Sequence, residues 1–336
     1  MSKLTRAGNH MEPKYKKLAE ELIAHIQEGV YGLNDQIPSI KQLSKTYKVS
    51  RETVSKALNL LSERGIIKAA YRQGYYVQAT DVKVGLRIFF LMDKITEFKS
   101  RMYEAFLDKI GDNGVVQIFF HHHNYEVFKS LIINNLPNYT HFVIVTYLEE
   151  DTNEILNQIP ASKRVIVDNQ ETGLEGKYAM VYQDFEADIY QCLEEAYPRL
   201  LKYKKLVLVS ARSRWGADRV LKGFRRFGRE RKFDLELVEE ISEANISKES
   251  VYIFLSNSDR MMVEAIKLCR TLKYEIGKDI GIISYNDTFV NEVLAGGISV
   301  LNTDFVEMGK TAAELILNGE RKTVVNSSKL ILRDSI

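Results

Sequence analysis

Beyond residue 84 the chain alternates short apolar runs with helical stretches, a pattern that few architectures accept. Residues 84–92, 115–120, 141–146 and 164–167 are rich in Val, Ile, Leu and Phe, and the pattern restarts at 206–210, 251–255 and 281–284. A strand that is apolar on both sides has to be covered on both, which calls for parallel strands joined by crossover helices. Helical stretches near 100–111 and over 186–201 are two of those crossovers. The interruption between about 170 and 205 divides the pattern into two lobes, so the expected body, residues 84–336, is a two-lobed α/β domain built on parallel sheets. At 336 residues the chain has room for that body and one smaller domain.

Residues 13–79 have a different rhythm. Leu18, Leu22, Ile23 and Ile26 recur at helical spacing until Gly29 and Gly32 end the segment. Ser39 caps a second helix carrying Ile40, Leu43 and Tyr47, and Ser50 caps a third carrying Val54, Ala57, Leu58 and Leu61. After Gly65, residues 66–70 and 75–78 read as two strands of a hairpin turning through Arg72, Gln73 and Gly74. Three helices and a two-stranded wing make a small winged helix-turn-helix domain. Residues 1–12 read as a flexible tail and 80–83 as a linker too short for independent motion of the two parts.

Charge is distributed to match. The chain as a whole is nearly neutral, yet residues 1–80 hold 13 Lys and Arg against 7 Asp and Glu, while the remainder is slightly acidic. A compact basic head fits a polyanion such as DNA. The third helix opens Ser50-Arg51-Glu52-Thr53, and residues at that position of a helix-turn-helix enter the major groove. Lys41, Arg51 and Lys56 are therefore read as base or phosphate contacts, Ser50, Thr53 and Ser55 as short donors to the backbone, and Arg72-Gln73-Gly74 as a basic wing tip.

In an open parallel sheet, ligands bind beyond the carboxyl ends of the strands. Those positions are polar here: Asp93, His121, Tyr147, Asp168-Asn169, Arg212, Ser258-Asp259 and Asn286-Asp287. Such a set suits a polyhydroxylated ligand, because each hydroxyl both donates and accepts. Trp215, the single tryptophan, offers a flat face for a sugar ring or simply packs. The triplet His121-His122-His123 does not converge on one ion, since neighbours on a strand face opposite ways, and no metal is expected. No nucleophile elbow, phosphate-binding loop or dinucleotide glycine pattern is present, so neither an enzyme nor a cofactor is expected. Cys192 and Cys269 stand alone, no run approaches a membrane span and the N-terminus lacks a signal peptide's apolar core, which places the chain in the cytoplasm, away from membranes.

The stretch Pro13-Lys14-Tyr15, Gly29, Gly32, Ile37-Pro38-Ser39-Ile40-Lys41-Gln42-Leu43, Val49-Ser50-Arg51-Glu52-Thr53-Val54, Ala57-Leu58, Gly65 closely resembles the DNA-binding domain of the GntR family of bacterial regulators. The resemblance implies DNA contacts from Lys41, Ser50, Arg51, Thr53, Ser55 and Gly74. Lys41 and Ser55 stand where that family often has Arg, so the operator sequence does not carry over.

The segment Gly277-Lys278-Asp279-Ile280-Gly281-Ile282-Ile283-Ser284-Tyr285-Asn286-Asp287, with Ile298-Ser299-Val300-Leu301-Asn302-Thr303-Asp304, Met308-Gly309, Ala312-Ala313 and Leu332-Arg333, is similar to the effector domain of LacI/GalR-type repressors, which have the periplasmic sugar-binding-protein fold. By this resemblance a sugar-type ligand meets Asp168, Arg219, Ser258 and Asn286, with Asp93 and Asp184 as further candidates. The two together look like the arabinose-repressor type of sugar-catabolism regulator. That implies a homodimer on operator DNA, released by a sugar or sugar-derived effector. The sequence does not fix the sign of regulation, and an activator with the same parts is the alternative.

Overall fold

The computed structural model describes residues 13–63, 65–70, 74–79, 85–210, 217–255 and 259–336. The expected tail 1–12, the linker 80–83, and the candidate residues Arg72, Gln73, Arg212, Trp215 and Ser258 lie outside them, as does the side chain of Asp259. The chain divides into two compact units, Met1–Leu86 and Arg87–Ile336.

The first unit is built from α1 (Lys14–Gln27), β1 (Gln36–Ile37), α2 (Ile40–Thr46), α3 (Arg51–Glu63), β2 (Ile67–Ala70) and β3 (Gly74–Val77). Leu18, Leu22, Ile23 and Ile26 of α1 pack against Val54, Ala57, Leu58 and Leu61 of α3 in one apolar core. Ser39 begins α2 with a reciprocal cap: its side chain accepts from the Gln42 amide, and its own amide donates to Gln42 Oε1 at 2.8 Å. The wing pairs β2 with β3 antiparallel, as the sequence implies, and gains a third strand because β1 pairs with β3. Two residues are too few to show a strand period, so β1 is invisible to pattern reading.

The second unit has two lobes. One six-stranded sheet has the order β14-β8-β7-β6-β4-β5, from β4 (Leu86–Met92), β5 (Gly114–Phe120), β6 (His141–Ile144), β7 (Arg164–Asp168), β8 (Ala179–Gln183) and β14 (Thr323–Asn326). Its helices include α4 (Glu97–Ile110), α5 (Tyr125–Asn135) and α6 (Asn153–Leu156). The other sheet has the order β10-β9-β11-β12-β13-β15, from β9 (Lys205–Val209), β10 (Asp234–Val238), β11 (Ser250–Phe254), β12 (Ile280–Tyr285), β13 (Ser299–Thr303) and β15 (Ser328–Ile331). With it go α7 (Phe185–Leu200), α8 (Ala217–Arg231), α9 (Asp259–Leu272) and α10 (Phe289–Val293), whereas α11 (Phe305–Leu317) packs on α4 of the first lobe. Pairing in the second sheet is parallel except at its edge, where β15 runs antiparallel to β13.

The chain passes between lobes three times: from β8 into α7, from β13 into α11, and from β14 into β15. The two sheets are therefore not consecutive blocks. β14, near the C-terminus, completes the first sheet beside β8 in parallel register. The seven apolar runs read from the sequence all fall on strands. β8, β10, β13, β14 and β15 carry mixed burial patterns or short lengths and were not among them.

Candidate functional site

On the head, Lys41, Arg51, Ser55 and Gly74 line one concave surface of about 840 Å³, together with Gln36 and Tyr75. Helix starts and wing meet there because β1 ties the wing to the turn before α2. Lys41 and Arg51 are exposed, and among the described residues neither has an acidic partner. Ser50 and Thr53 serve the helix itself: Ser50 Oγ accepts from the Thr53 amide at 3.1 Å and lies 2.8 Å from Thr53 Oγ1. Lys56 pairs with Glu52 at 2.9 Å, both largely exposed. An exposed pair of this kind is screened by solvent and holds Lys56 only weakly. Gly74 has φ +100°, and a Cβ there would approach Gln36 Nε2 at 3.1 Å, so glycine suits this corner of the groove.

In the body, strand ends from both lobes converge on a buried polar cluster. Asp93 follows β4 and Asp168 closes β7, and they are 2% and 1% exposed. Between them lies the ammonium of Lys99, from the first turns of α4, itself 4% exposed. It bonds Asp93 Oδ1, stands 3.8 Å from Asp168 Oδ2, and lies 4.6 Å from the centre of the Tyr147 ring. His123 Nε2 is 3.6 Å from the other Asp93 oxygen, and its Nδ1 is 2.9 Å from the Tyr147 carbonyl. Burial pushes the Asp168 carboxyl up, opposed by Lys99 and by the Gln183 amide that donates to Asp168 Oδ1. Burial and the neighbouring carboxylates push the Tyr147 phenol up as well, so it stays protonated.

Contacts cross from this cluster to the second lobe. Thr303 Oγ1, at the end of β13, donates to Gln183 Oε1 at 2.6 Å. Arg219 of α8 donates to Asn169 Oδ1 at 2.7 Å and to Gln170 Oε1 at 3.3 Å, and it lies 5.6 Å over the Phe185 ring. Asn286, 5% exposed after β12, takes φ +69°, as Asp168 takes φ +75°. Left-handed backbone at two non-glycine strand ends is the kind of strain that collects at binding sites. The adjacent Tyr285 hydroxyl is buried and has no hydrogen-bond partner among the described residues.

The sequence candidates thus separate. Asp93, Tyr147, Asp168, Asn169, Arg219 and Asn286 are gathered at the carboxyl ends of the strands and between the lobes. His121 is instead fully buried, with Nε2 3.1 Å from the Val145 carbonyl and its ring against Phe128; burial pushes it down to about 4. β5 ends at Phe120, so the strand alternation expected for the triplet does not apply: left-handed backbone at His122 and His123 (φ +49° and +57°) turns the chain, and His123 rather than His121 faces the Asp93 carboxylate. Asp184 caps α7 by accepting from the Ala187 amide, and Asp287 grips Arg333 through both oxygens at 3.0 and 2.7 Å. Lys99, Gln183 and Thr303 were missed. Lys99 had a signal, because it shares the buried helical stripe of Met102, Phe106 and Ile110. Among the described residues no three His, Cys, Asp or Glu side chains form a metal cluster, and no described helix is long and apolar enough to cross a membrane.

Comparison with known proteins places both units. Residues 14–77 match the model of bacterial regulatory proteins of the gntR family. Residues 200–336 match that of periplasmic binding protein-like domains. The chain therefore carries a GntR-type helix-turn-helix region at its N-terminus and a periplasmic-binding-protein-like α/β body. Among curated relatives, the uncharacterized HTH-type transcriptional regulator YcxD of Bacillus subtilis is 39% identical over 64 residues, 19% of this chain and 14% of YcxD. YydK of the same organism, also an uncharacterized HTH-type regulator, is 31% identical over 65 residues, 19% of this chain and 28% of YydK. The chain thus spans less than a third of these relatives' length. Solved structures align along the body. A periplasmic binding protein/LacI transcriptional regulator from Alkaliphilus metalliredigens, complexed with D-xylulofuranose, has a TM-score of 0.59 at 13% identity, covering 75% of this chain and 99% of that one. A LacI family transcriptional regulator from Bifidobacterium animalis reaches 0.63 at 14% identity, covering 74% and 97%. At such identities the likeness defines the fold.

Proposed function

We propose that the protein is a sequence-specific DNA-binding transcriptional regulator, a cytoplasmic homodimer that represses a sugar-utilisation operon until a monosaccharide or sugar-derived effector binds between its lobes. The observation that carries this reading is the pairing of two sites on one chain: a head groove lined by Lys41 and Arg51, and a cleft where Asp93, Asp168, Asn169, Arg219 and Asn286 converge. Arg51 and Lys41 supply phosphate or base contacts from helix N-termini. The cleft supplies carboxylates, amides and a guanidinium, the partners that hydroxyl groups need. The regulator from A. metalliredigens holds a ketopentose in the same fold, which supports a sugar-sized ligand here.

The mechanism is linkage. An effector that binds one lobe arrangement better than the other shifts the body toward it, and a dimer whose heads are re-spaced fits two half-sites less well. Couplings of this kind are typically about 1–3 kcal/mol, or roughly 5–150-fold in affinity. The test is fluorescence anisotropy of the DNA upstream of the protein's own gene, at fixed salt, with and without a panel of pentoses and hexoses. Release by one sugar is the expected result. Binding that no member of the panel alters would overturn the sugar assignment, and binding unchanged in Arg51→Ala would overturn the placement of the DNA surface.

A further inference from the structure

Lys99 is a buried cation at a place where a ligand would be expected. It is held at the carboxyl ends of β4 and β7, by Asp93 on one side, Asp168 on the other and the Tyr147 ring 4.6 Å away. Two carboxylates and an aromatic face are the groups that bind a free ammonium ion. The cage is also one end of a continuous path. Asp168 accepts from Gln183, whose carbonyl oxygen accepts from Thr303 across the lobe boundary, and Thr303 Oγ1 lies 3.5 Å from Ser328 Oγ. Gln183, Thr303 and Ser328 stand at the three points where the chain passes between lobes, and the Asp304 amide donates to the Ser327 carbonyl at 3.1 Å between two of them.

The Gln183 amide has one workable orientation in this path. Its NH₂ faces the Asp168 carboxyl and its oxygen the Thr303 hydroxyl, so the crossing bond is aligned by Asp168 Oδ1 staying in place. Buried carboxylates without a cation are costly, and removing one partner of a buried pair leaves the other uncompensated. Lys99 therefore helps to hold the Asp168 carboxyl where Gln183 meets it.

We propose that the Lys99 ammonium is a built-in occupant of the cleft: it fills a primary-ammonium site made by Asp93, Asp168 and Tyr147, and through Asp168, Gln183 and Thr303 it clamps the two lobes together. The clamp is a property of the body alone, so its test needs neither DNA nor effector, and its failure leaves the regulator reading untouched.

The test is Förster transfer in the full-length protein, sparsely labelled at Ser130→Cys on α5 and Lys267→Cys on α9; both native cysteines are buried. The expected result is that Lys99→Ala moves the population from short to long inter-dye distance, and that added ethylammonium restores the short one while tetramethylammonium, which has no N–H to donate, does not. Wild-type distances in folded Lys99→Ala, or no response to ethylammonium, would overturn the proposal. Should Lys99→Ala not fold, Thr303→Val decides, since it keeps every charge and removes the crossing bond, together with the long contact to Ser328 inside the second lobe: the same shift to long distance upholds the clamp, and unchanged transfer refutes it.

Discussion

Asp188 lies on α7 at 8% exposure, with one carboxyl oxygen lacking a hydrogen-bond partner among the described residues. Burial, aided by the Asp184 charge and opposed by a hydrogen bond with Ser328, pushes its carboxyl up to about 7. In the unfolded chain the same group titrates near 3.9. Between about pH 4 and 7 the unfolded state therefore gives up a proton that the folded state keeps, and stability falls as pH rises through that window. His121 and His141, both pushed down to about 4 mainly by burial, act in the opposite sense, costing stability as pH falls below about 6.5. The wild-type profile mixes the two, but Asp188→Asn removes only the first. Thermal unfolding should show the variant gaining little at pH 4 and a growing margin up to pH 7, reaching about 2–4 kcal/mol and then levelling. A margin independent of pH would mean that Asp188 is ionised in the fold. At this scale the sequence was legible where a residue type carries its own chemistry, as with Asp168 or Arg51. For Lys99 only its burial was legible, from the apolar stripe of its helix, and not its pairing with Asp168, 69 residues away; Gln183, whose partner Thr303 is 120 residues away, left no local sign.

At the scale of elements, the tail motif Met308-Gly309 acquires a physical reason. α11 crosses α4 so closely that a Cβ on Gly309 would lie 2.1 Å from the Met102 carbonyl oxygen. Gly223 plays the same part between α8 and α7, where a Cβ would meet the Glu186 carbonyl at 2.2 Å. Backbone at that distance has no rotamer by which to yield, so the helices must part. Gly309→Ala should cost about 1–3 kcal/mol or more in the body's unfolding, read by calorimetry. A variant as stable as wild type would mean that α11 and α4 slide apart without penalty. The head offers a gentler case. Ser39→Ala removes the reciprocal cap with Gln42, and should lower the head's stability by about 1 kcal/mol while leaving the body's transition in place. Caps and glycine stops are local, which is why the head's helices and wing were readable from its own residues. Parallel strands take their partners from far along the chain, so β8 and β14, joined over 140 residues, left no local sign of their pairing.

For the whole molecule, the decisive fact is that each unit has a core of its own. Leu22, Ile23, Val54, Leu58 and Val77 close the head's core, and among the described residues none from beyond 79 belongs to that cluster. The body's two lobes hold separate clusters, one around Phe89, Phe128 and Phe142 and the other around Tyr252, Phe254 and Ile282. Yet the lobes share three chain crossings, so neither can be cut out as one continuous segment, whereas the head can. Cooperativity should follow that connectivity, with the head melting as one unit and the two lobes melting together as another. Leu58→Ala, which empties a fully buried position in the head, should cost about 2–5 kcal/mol. The loss should appear in a head transition only, with the body's transition unmoved in a calorimetric scan. A regulator of the proposed kind needs this division, because the effector has to change how the heads are held without changing whether they are folded. If Leu58→Ala shifted both transitions equally, the two units would unfold as one, and effector binding would stabilise the heads along with the body. Release from DNA would then have to come from a change of shape within the head itself, and the lobe-driven re-spacing proposed above would fall.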